Sequence, residues 1–150
     1  MFGTTIDVAG LYSYRDNLQI SHGVKAGNTI YISGQVALDP EGNVVGEGDA
    51  EAQAEYIWSN IEKILQEAGS DLEEIVKIFV FGVGTKSTKG AWDVRKRMIL
   101  GKDPLPCVTS IANNLKIGYH SHDFVNSMLS SELGVALSSA SPVFIALLVT

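Results

Sequence analysis

Two features of this sequence combine residue types that are suited to chemistry: a single cysteine and a pair of neighbouring histidines. Cys107 could line a binding pocket, and the alternative is a small hydrophobe buried on a strand. His120 and His122 are two residues apart, so on a strand both rings would point the same way, as in many metal sites. Their spacing fixes no third ligand, and we therefore predict no metal site here.

A glycine-rich segment, Gly82–Ser87, is the other stretch that suggests ligand chemistry. It superficially resembles a phosphate-binding loop, but it lacks the spacing of glycines and lysine that such loops use to surround phosphates. We therefore predict an ordinary turn at this position.

Charge and composition narrow the classes of function. The chain has 150 residues, a number typical of one domain, and its formal net charge is −6. Nucleic-acid binding requires a basic surface, and the only basic cluster is the short run Arg95-Lys96-Arg97. We expect a small-molecule substrate and no nucleic-acid partner.

The compartment is predicted from the cysteine count and from the apolar segments. One cysteine excludes an internal disulfide, and the first residues lack the basic flank and apolar core of a signal peptide. The apolar run at 143–149 is much shorter than the roughly 20 residues that span a membrane. We predict a cytoplasmic protein without a membrane partner, and a buried strand at 142–149.

The first half of the chain predicts an irregular arm, a hairpin and a long helix. The apolar residues of segment 1–18 show no clear periodicity, so this segment is interpreted as an irregular arm with at most a short strand. Strands at Val24–Ala26 and Thr29–Ser33 would flank a Gly27-Asn28 turn. Asp49 is a suitable N-cap for a helix with apolar residues at three- and four-residue spacing, which would end before Gly69. Its polar faces would carry Glu51, Gln53, Glu55, Glu62, Lys63 and Gln66.

The second half predicts further strands around a second helix. The run at 76–83 indicates a strand buried on both faces, one under the helices and the other against a second subunit. A helix at 90–100 and a strand at 104–112 follow, and 113–141 is interpreted as an atypical insertion before the last strand. We predict a single α+β domain with two main helices on one face of a mixed sheet.

The sequence of residues 21 to about 112 resembles the sequences of the Rid family, whose members are also called YjgF proteins or L-PSP endoribonucleases. The resemblance is carried by the Gly27-Asn28 turn, Ser33-Gly34-Gln35, Asp39-Pro40, Asn60, and Asp71-Leu72. It implies a chorismate-mutase-like fold, a homotrimer with clefts between subunits, and hydrolysis of reactive 2-imino acids to 2-oxo acids and ammonia. It implies no metal or organic cofactor.

Part of the site that the resemblance implies is present. In the deaminases, backbone groups near a Ser-Gly step and beside a cysteine contribute to the substrate pocket. Ser33 and Gly34 match the first element, and Cys107 matches the second. His22 follows Ser21 at the mouth of the implied cleft and could act as an acid or base. The alternative is an ordinary surface histidine.

Other positions depart from the family pattern. Leu105 stands where the deaminases have an arginine that binds the substrate carboxylate, and Ile145 stands where they have a water-positioning glutamate. Asp93 takes the place of a cleft-facing asparagine, and Ile20 the place of an aromatic residue. A cation from elsewhere could substitute for the arginine, and the candidates are Arg15, Lys96 and Arg97.

These departures predict an altered activity on a retained scaffold. The leading hypothesis is hydrolytic deamination of an imine or enamine with a changed substrate preference. A non-catalytic metabolite-binding or regulatory trimer is the alternative, because both charged residues are absent. A third hypothesis, endoribonuclease activity, is disfavoured by the acidic composition.

Overall fold

A computed structural model describes residues 2–113 and 143–149, and these form a mixed sheet with two main helices. The first strands and the short first helix are β1 (Thr4–Ile6), α1 (Arg15–Leu18), β2 (Gly23–Ala26) and β3 (Thr29–Gln35). The long helix α2 (Ala50–Glu67) and a 3-10 turn (Leu72–Glu74) follow. The remaining elements are β4 (Ile75–Val83), α3 (Gly84–Met98), β5 (Cys107–Asn113) and β6 (Val143–Val149).

The sheet has the strand order β1-β2-β3-β6-β4-β5, so the last strand lies in its centre. All neighbours pair antiparallel except β4 and β5, which are parallel. The core is formed by α2, α3 and the apolar residues on the helix side of the sheet. The predicted α+β class is confirmed, as is the strand predicted at 142–149.

The hairpin and the ends of α2 form where the sequence predicts them. Gly27 has φ +61°, a conformation that suits glycine in the tight turn between β2 and β3. The Asp49 carboxylate accepts hydrogen bonds from the backbone N–H groups of Glu51 and Ala52, both at 3.1 Å. Gly69, at φ +75°, ends the helix as predicted.

Removing the Asp49 cap is expected to destabilise the fold modestly. Asp49→Ala leaves two backbone N–H groups of the first helical turn without their acceptor, at a cost of about 1 kcal/mol. Chemical unfolding at fixed protein concentration measures this loss, and the neighbouring exposed Glu47→Ala serves as the control. Equal stability of the two variants would contradict the capping role.

Gln53 of α2 lies on the buried side of the helix, although the sequence predicts a polar face for it. Gln53 is fully buried, together with Trp58 and Asn60, so its assignment to a polar face is wrong. The loop before α2 covers this side of the helix, because a Cβ at Gly46 would lie 3.4 Å from the Gln53 Cγ. A helix covered by a loop as well as by the sheet can bury an amide beside its apolar stripe.

Helix α3 begins at Gly84, six residues before the predicted start, so the predicted turn over Gly82–Ser87 is wrong. The error comes from Gly90, which resembles a helix boundary but lies inside the helix. A Cβ at Gly90 would come within 3.3 Å of the Ala50 Cβ and of the Glu51 backbone nitrogen. Glycine at this position therefore allows α3 to pack closely against the start of α2.

The sheet face that points away from the helices carries large apolar side chains. Tyr31 is 53%, Phe79 36% and Ile111 47% exposed, and Cys107 is also exposed. We call these four residues the open face. Among residues 2–113 and 143–149, β4 is therefore buried on the helix side and only partly covered on the other, and the predicted subunit contact on that side stays a prediction.

The predicted insertion and the predicted lack of a membrane span can be compared only with the residues that the structure describes. The insertion at 113–141, with His120 and His122, lies outside the described residues except for Asn113 at the end of β5. Within 2–113 and 143–149, no helix is long and apolar enough to cross a bilayer.

Candidate functional site

A β-bulge presents the Ser33-Gly34 step. Ile32 pairs with Leu147 and Gln35 pairs with Ile145, so Ser33 and Gly34 together face one residue of β6. The buried Gln35 amide donates to the carbonyl oxygens of Ser33 at 3.0 Å and Gly34 at 3.4 Å. The bulge therefore removes two residues from the regular ladder, and Gln35 fixes the direction of their carbonyls.

His22 lies beside the bulge, where it connects the N-terminal arm to the sheet. The Ser33 N–H donates to the His22 carbonyl oxygen at 2.9 Å. The ring accepts from the Val8 N–H at Nδ1 and contacts the Tyr12 carbonyl oxygen at Nε2, both at 3.0 Å, which fits a neutral ring protonated on Nε2. The surface alternative is wrong, because His22 is only 5% exposed. Both nitrogens are occupied, which gives His22 a structural role in this conformation.

Loss of the His22 ring is expected to destabilise the arm. His22→Ala leaves the Val8 N–H and the Tyr12 carbonyl without their partner and opens a cavity, at a cost of about 2–3 kcal/mol. Unfolding titrations measure the change. A cost near zero, in a variant that still folds, would show that the arm is not anchored by this ring.

Cys107 and Leu105 lie at the far edge of the sheet from the bulge. Tyr31, Leu148, Lys77 and Cys107 are successive neighbours across β3, β6, β4 and β5. Three strand spacings therefore separate β3 from β5, about 14 Å. A single chain thus keeps Ser33 and Cys107 apart, although the family resemblance implies one pocket that contains both the Ser-Gly step and the cysteine.

Leu105 and Cys107 are both accessible. The Leu105 side chain is 71% exposed, in the loop between α3 and β5, and Cys107 begins β5 on the open face. The alternative of a buried cysteine is wrong. The ammonium of Lys77, the β4 neighbour of Cys107, donates to the Thr109 hydroxyl at 2.8 Å.

The basic run on α3 and the candidate Asp93 are engaged in ion pairs or packing. Arg97 donates to Glu51 at 2.7 Å and to Glu55 at 2.6 Å. Asp93 accepts from Lys89 at 2.7 Å, which holds the pKa of its carboxyl below the usual range, and lies 3.9 Å from Lys96. The remaining member, Arg95, is buried against the Trp92 ring, and burial lowers its pKa.

A pocket of about 360 Å³ opens near β1, at one edge of the sheet. Its lining combines one cation, one amide, two hydroxyls and one apolar side chain, from Thr5, Arg15, Gln19, Ile20 and Ser21. Ser21 precedes His22, whose carbonyl oxygen accepts from the Ser33 N–H, and the Ser21 hydroxyl donates to the Gly23 carbonyl oxygen at 3.1 Å. This pocket was missed from the sequence, although Arg15 and Ile20 were noted, because the spacing from Thr5 to Ser21 carries no motif.

Known proteins share this arrangement of elements. A family model described as Endoribonuclease L-PSP matches residues 16–115, which is two thirds of the chain. The chain belongs to the endoribonuclease L-PSP family. This is the Rid or YjgF family that the sequence resembles, and the match covers the hairpin, the bulge, both main helices and β5.

Individual relatives agree with this assignment. A RutC family protein of Sulfurisphaera tokodaii is 39% identical over 61 residues, 41% of this chain and 49% of that protein. The mitochondrial protein mmf2 of Schizosaccharomyces pombe is 35% identical over 89 residues, 59% of this chain and 68% of that protein. The chain spans about half the length of the first curated relatives it matches.

The fold is shared with solved structures of the Rid family. The crystal structure of yeast Mmf1 has a TM-score of 0.74 and 20% identity, and the match covers 99% of this chain and 98% of that one. Ile145, which the family resemblance aligns with a glutamate of the deaminases, pairs with Gln35 and with Val80, both of which are buried.

No group of three histidine, cysteine, aspartate or glutamate side chains suited to a metal occurs among residues 2–113 and 143–149. His120 and His122 lie outside that range.

Proposed function

We propose that this Rid protein hydrolyses a reactive imine or enamine in a cleft shared between copies of the chain, and that it works as a homotrimer. The observation that supports the shared cleft is the strand order. It separates the Ser33-Gly34 bulge from Cys107 by about 14 Å within one chain. A partner copy on the open face would bring its Cys107 edge to the bulge and would cover Tyr31 and Phe79.

The proposed reaction needs little from the protein. Water adds to the carbon of a protonated C=N bond, and the tetrahedral intermediate then releases ammonia and leaves a carbonyl group. The protein must hold the substrate, position the water and stabilise the charge that develops in the intermediate. The bulge supplies backbone groups that Gln35 holds in place, and such pre-arranged dipoles act without reorganisation during the reaction.

A non-catalytic role on the same trimer is the second candidate. The exposed, apolar Leu105 favours it, because this position provides no carboxylate-binding cation and Ile145 provides no charge beside the bulge. In that case the cleft would bind a metabolite without converting it. The cytoplasm remains the proposed location for either role.

Endoribonuclease activity, although it appears in the family's name, has less support. The basic run on α3 is the only one in the sequence, and its three members are packed on an aromatic ring or near acidic side chains. Paired charges release fewer counterions from a phosphate backbone and so contribute little to RNA affinity. With a net charge of −6, the chain offers little to attract RNA.

Ammonia release from freshly generated imines tests the catalytic proposal. A panel of 2-imino acids and uncharged imines or enamines is incubated with the purified protein, and release is compared with that in buffer alone. We expect acceleration for at least one substrate, and loss of that acceleration when the open face is disrupted. A folded trimer that accelerates none, but binds a 2-oxo acid, would support the metabolite-binding role instead.

A further inference from the structure

The guanidinium of Arg95 on α3 is a buried cation without an anionic partner. Arg95 is only 9% exposed, and in residues 2–113 and 143–149 no aspartate or glutamate forms an ion pair with it. Its Nε has no hydrogen-bond partner within the same residues. Removing a charged group from water costs free energy, and a buried donor without an acceptor adds to that cost. A bound anion would remove both costs.

The contacts of Arg95 orient its guanidinium but do not satisfy it. The Cζ atom lies 4.4 Å from the centre of the Trp92 ring, so the ring covers one face of the cation. A ring face attracts a cation, but it accepts no hydrogen bond from N–H groups that lie in the guanidinium plane. The carboxylate of Asp93, two residues away on α3, is paired with the Lys89 ammonium at 2.7 Å. The stack therefore leaves the in-plane donors to a ligand.

A second donor lies beside this stack, on the edge strand of the sheet. The Trp92 indole N–H donates to the Ser110 hydroxyl oxygen at 3.1 Å. Ser110 is exposed, and a hydroxyl that accepts one hydrogen bond can still donate its own hydrogen. Because side chains alternate along a strand, Ser110 and Cys107 lie on opposite faces of β5. The stack is therefore separate from the cleft of the proposed function.

We infer that Arg95 and Ser110, which both contact Trp92, form a site for a small planar oxyanion with one negative charge, the class that includes bicarbonate and formate. One guanidinium supplies one positive charge, and its planar fork matches two oxygens of a planar anion. Phosphate carries more charge than this single cation neutralises, in a chain whose net charge is already −6. The bound anion links α3 to the edge strand β5.

Fluorescence of Trp92 tests this inference without requiring turnover. The chain has two tryptophans, so in a Trp58→Phe protein Trp92 is the only indole that reports. We expect formate and bicarbonate to change its emission saturably, because a charge bound beside the stacked ring alters the electric field at the indole. Formamide, the neutral analogue of formate, and sodium chloride at equal ionic strength should give no saturable change. Phosphate should bind more weakly than formate.

Replacement of the cation separates binding from packing. Arg95→Gln should raise the Kd for formate by about tenfold or more, because it removes the charge. Arg95→Met keeps a long side chain on the ring, and without these anions it should be at least as stable as the parent, since an apolar group replaces an unpaired buried charge. Arg97→Met removes an exposed arginine that is paired with Glu51, so this control should leave Kd unchanged.

Thermal unfolding of the unmodified chain is a second measurement, and it needs no tryptophan variant. Formate should raise the Tm of the parent and leave that of Arg95→Met unchanged. The inference is overturned by a parent without a saturable response to formate or bicarbonate, by an equal response to sodium chloride, or by a response that persists in Arg95→Met. Lower stability of Arg95→Met in anion-free buffer would assign the guanidinium to packing and would also overturn it. None of these results depends on ammonia release, so failure of the proposed reaction is distinguished from failure of this site.

Discussion

Replacing Phe79 with glutamate is expected to convert a trimer into single chains. Phe79 lies in the middle of the open face, between β6 and β5, and is 36% exposed in the isolated chain. If a partner covers this face, each copy of the variant would lose an apolar contact and bury a carboxylate. The desolvation costs on the order of several kcal/mol even with the Lys77 ammonium, which lies 4.9 Å from the Phe79 ring centre. Light scattering after size exclusion should give a mass near 16.1 kDa for the variant, against about three times that value for the parent.

Phe2→Glu is the matched control for this experiment. Phe2 is fully exposed and lies outside the open face, so the same substitution there should leave the trimer intact. Circular dichroism should show that both variants keep their helices. A Phe79→Glu protein that remains trimeric, or a parent that is already a monomer, would contradict the proposed assembly.

Replacing Trp58 with alanine is expected to have the largest effect on folding. Trp58 is fully buried in the centre of α2. Its removal deletes the largest fully buried side chain of the core and leaves a cavity, which typically costs about 3–5 kcal/mol. Denaturant titration at one fixed protein concentration measures this cost, since association also contributes to apparent stability.

Trp58→Phe is the control for the cavity. Among the described residues the indole N–H of Trp58 has no acceptor, so the buried donor costs free energy that phenylalanine avoids. We expect the phenylalanine variant to lose much less stability than the alanine variant. Equal losses would indicate that the indole N–H, and not the ring volume, is what the core requires.

Local signals were sufficient to predict most of the scaffold. Gly27, Asp49 and Gly69 each act within a few residues, through backbone conformation or capping, and each lies where the sequence predicts. The last strand could be predicted because it is short, apolar and close to the end of the chain. Its central place between β3 and β4 could not, since pairing of distant segments leaves no local pattern.

The failures have a common physical cause in tertiary contacts. Gly90 has the features of a helix boundary until α2 packs against it, 3.3 Å from where a Cβ would lie. Gln53 has the features of a surface residue until the loop at Gly46 packs against it. The pocket lined by Thr5, Arg15, Gln19, Ile20 and Ser21 combines residues of β1, of α1 and of the segment before β2, and the pairing of β1 with β2 brings these together. Leu105 and Ile145 could be identified as positions of the implied site only through the family resemblance, because an apolar side chain alone does not indicate a functional role.

Thiol cross-linking between Ser33→Cys and the native Cys107 tests the shared cleft most directly. Three strand spacings separate β3 from β5, so the two positions are at least about 14 Å apart across one sheet, and a bifunctional thiol reagent of shorter reach cannot join them within a chain. We expect two-chain and three-chain species on a denaturing gel, and their loss when Cys107 is also changed to alanine. Full modification of both thiols without any linked chains would contradict the shared cleft.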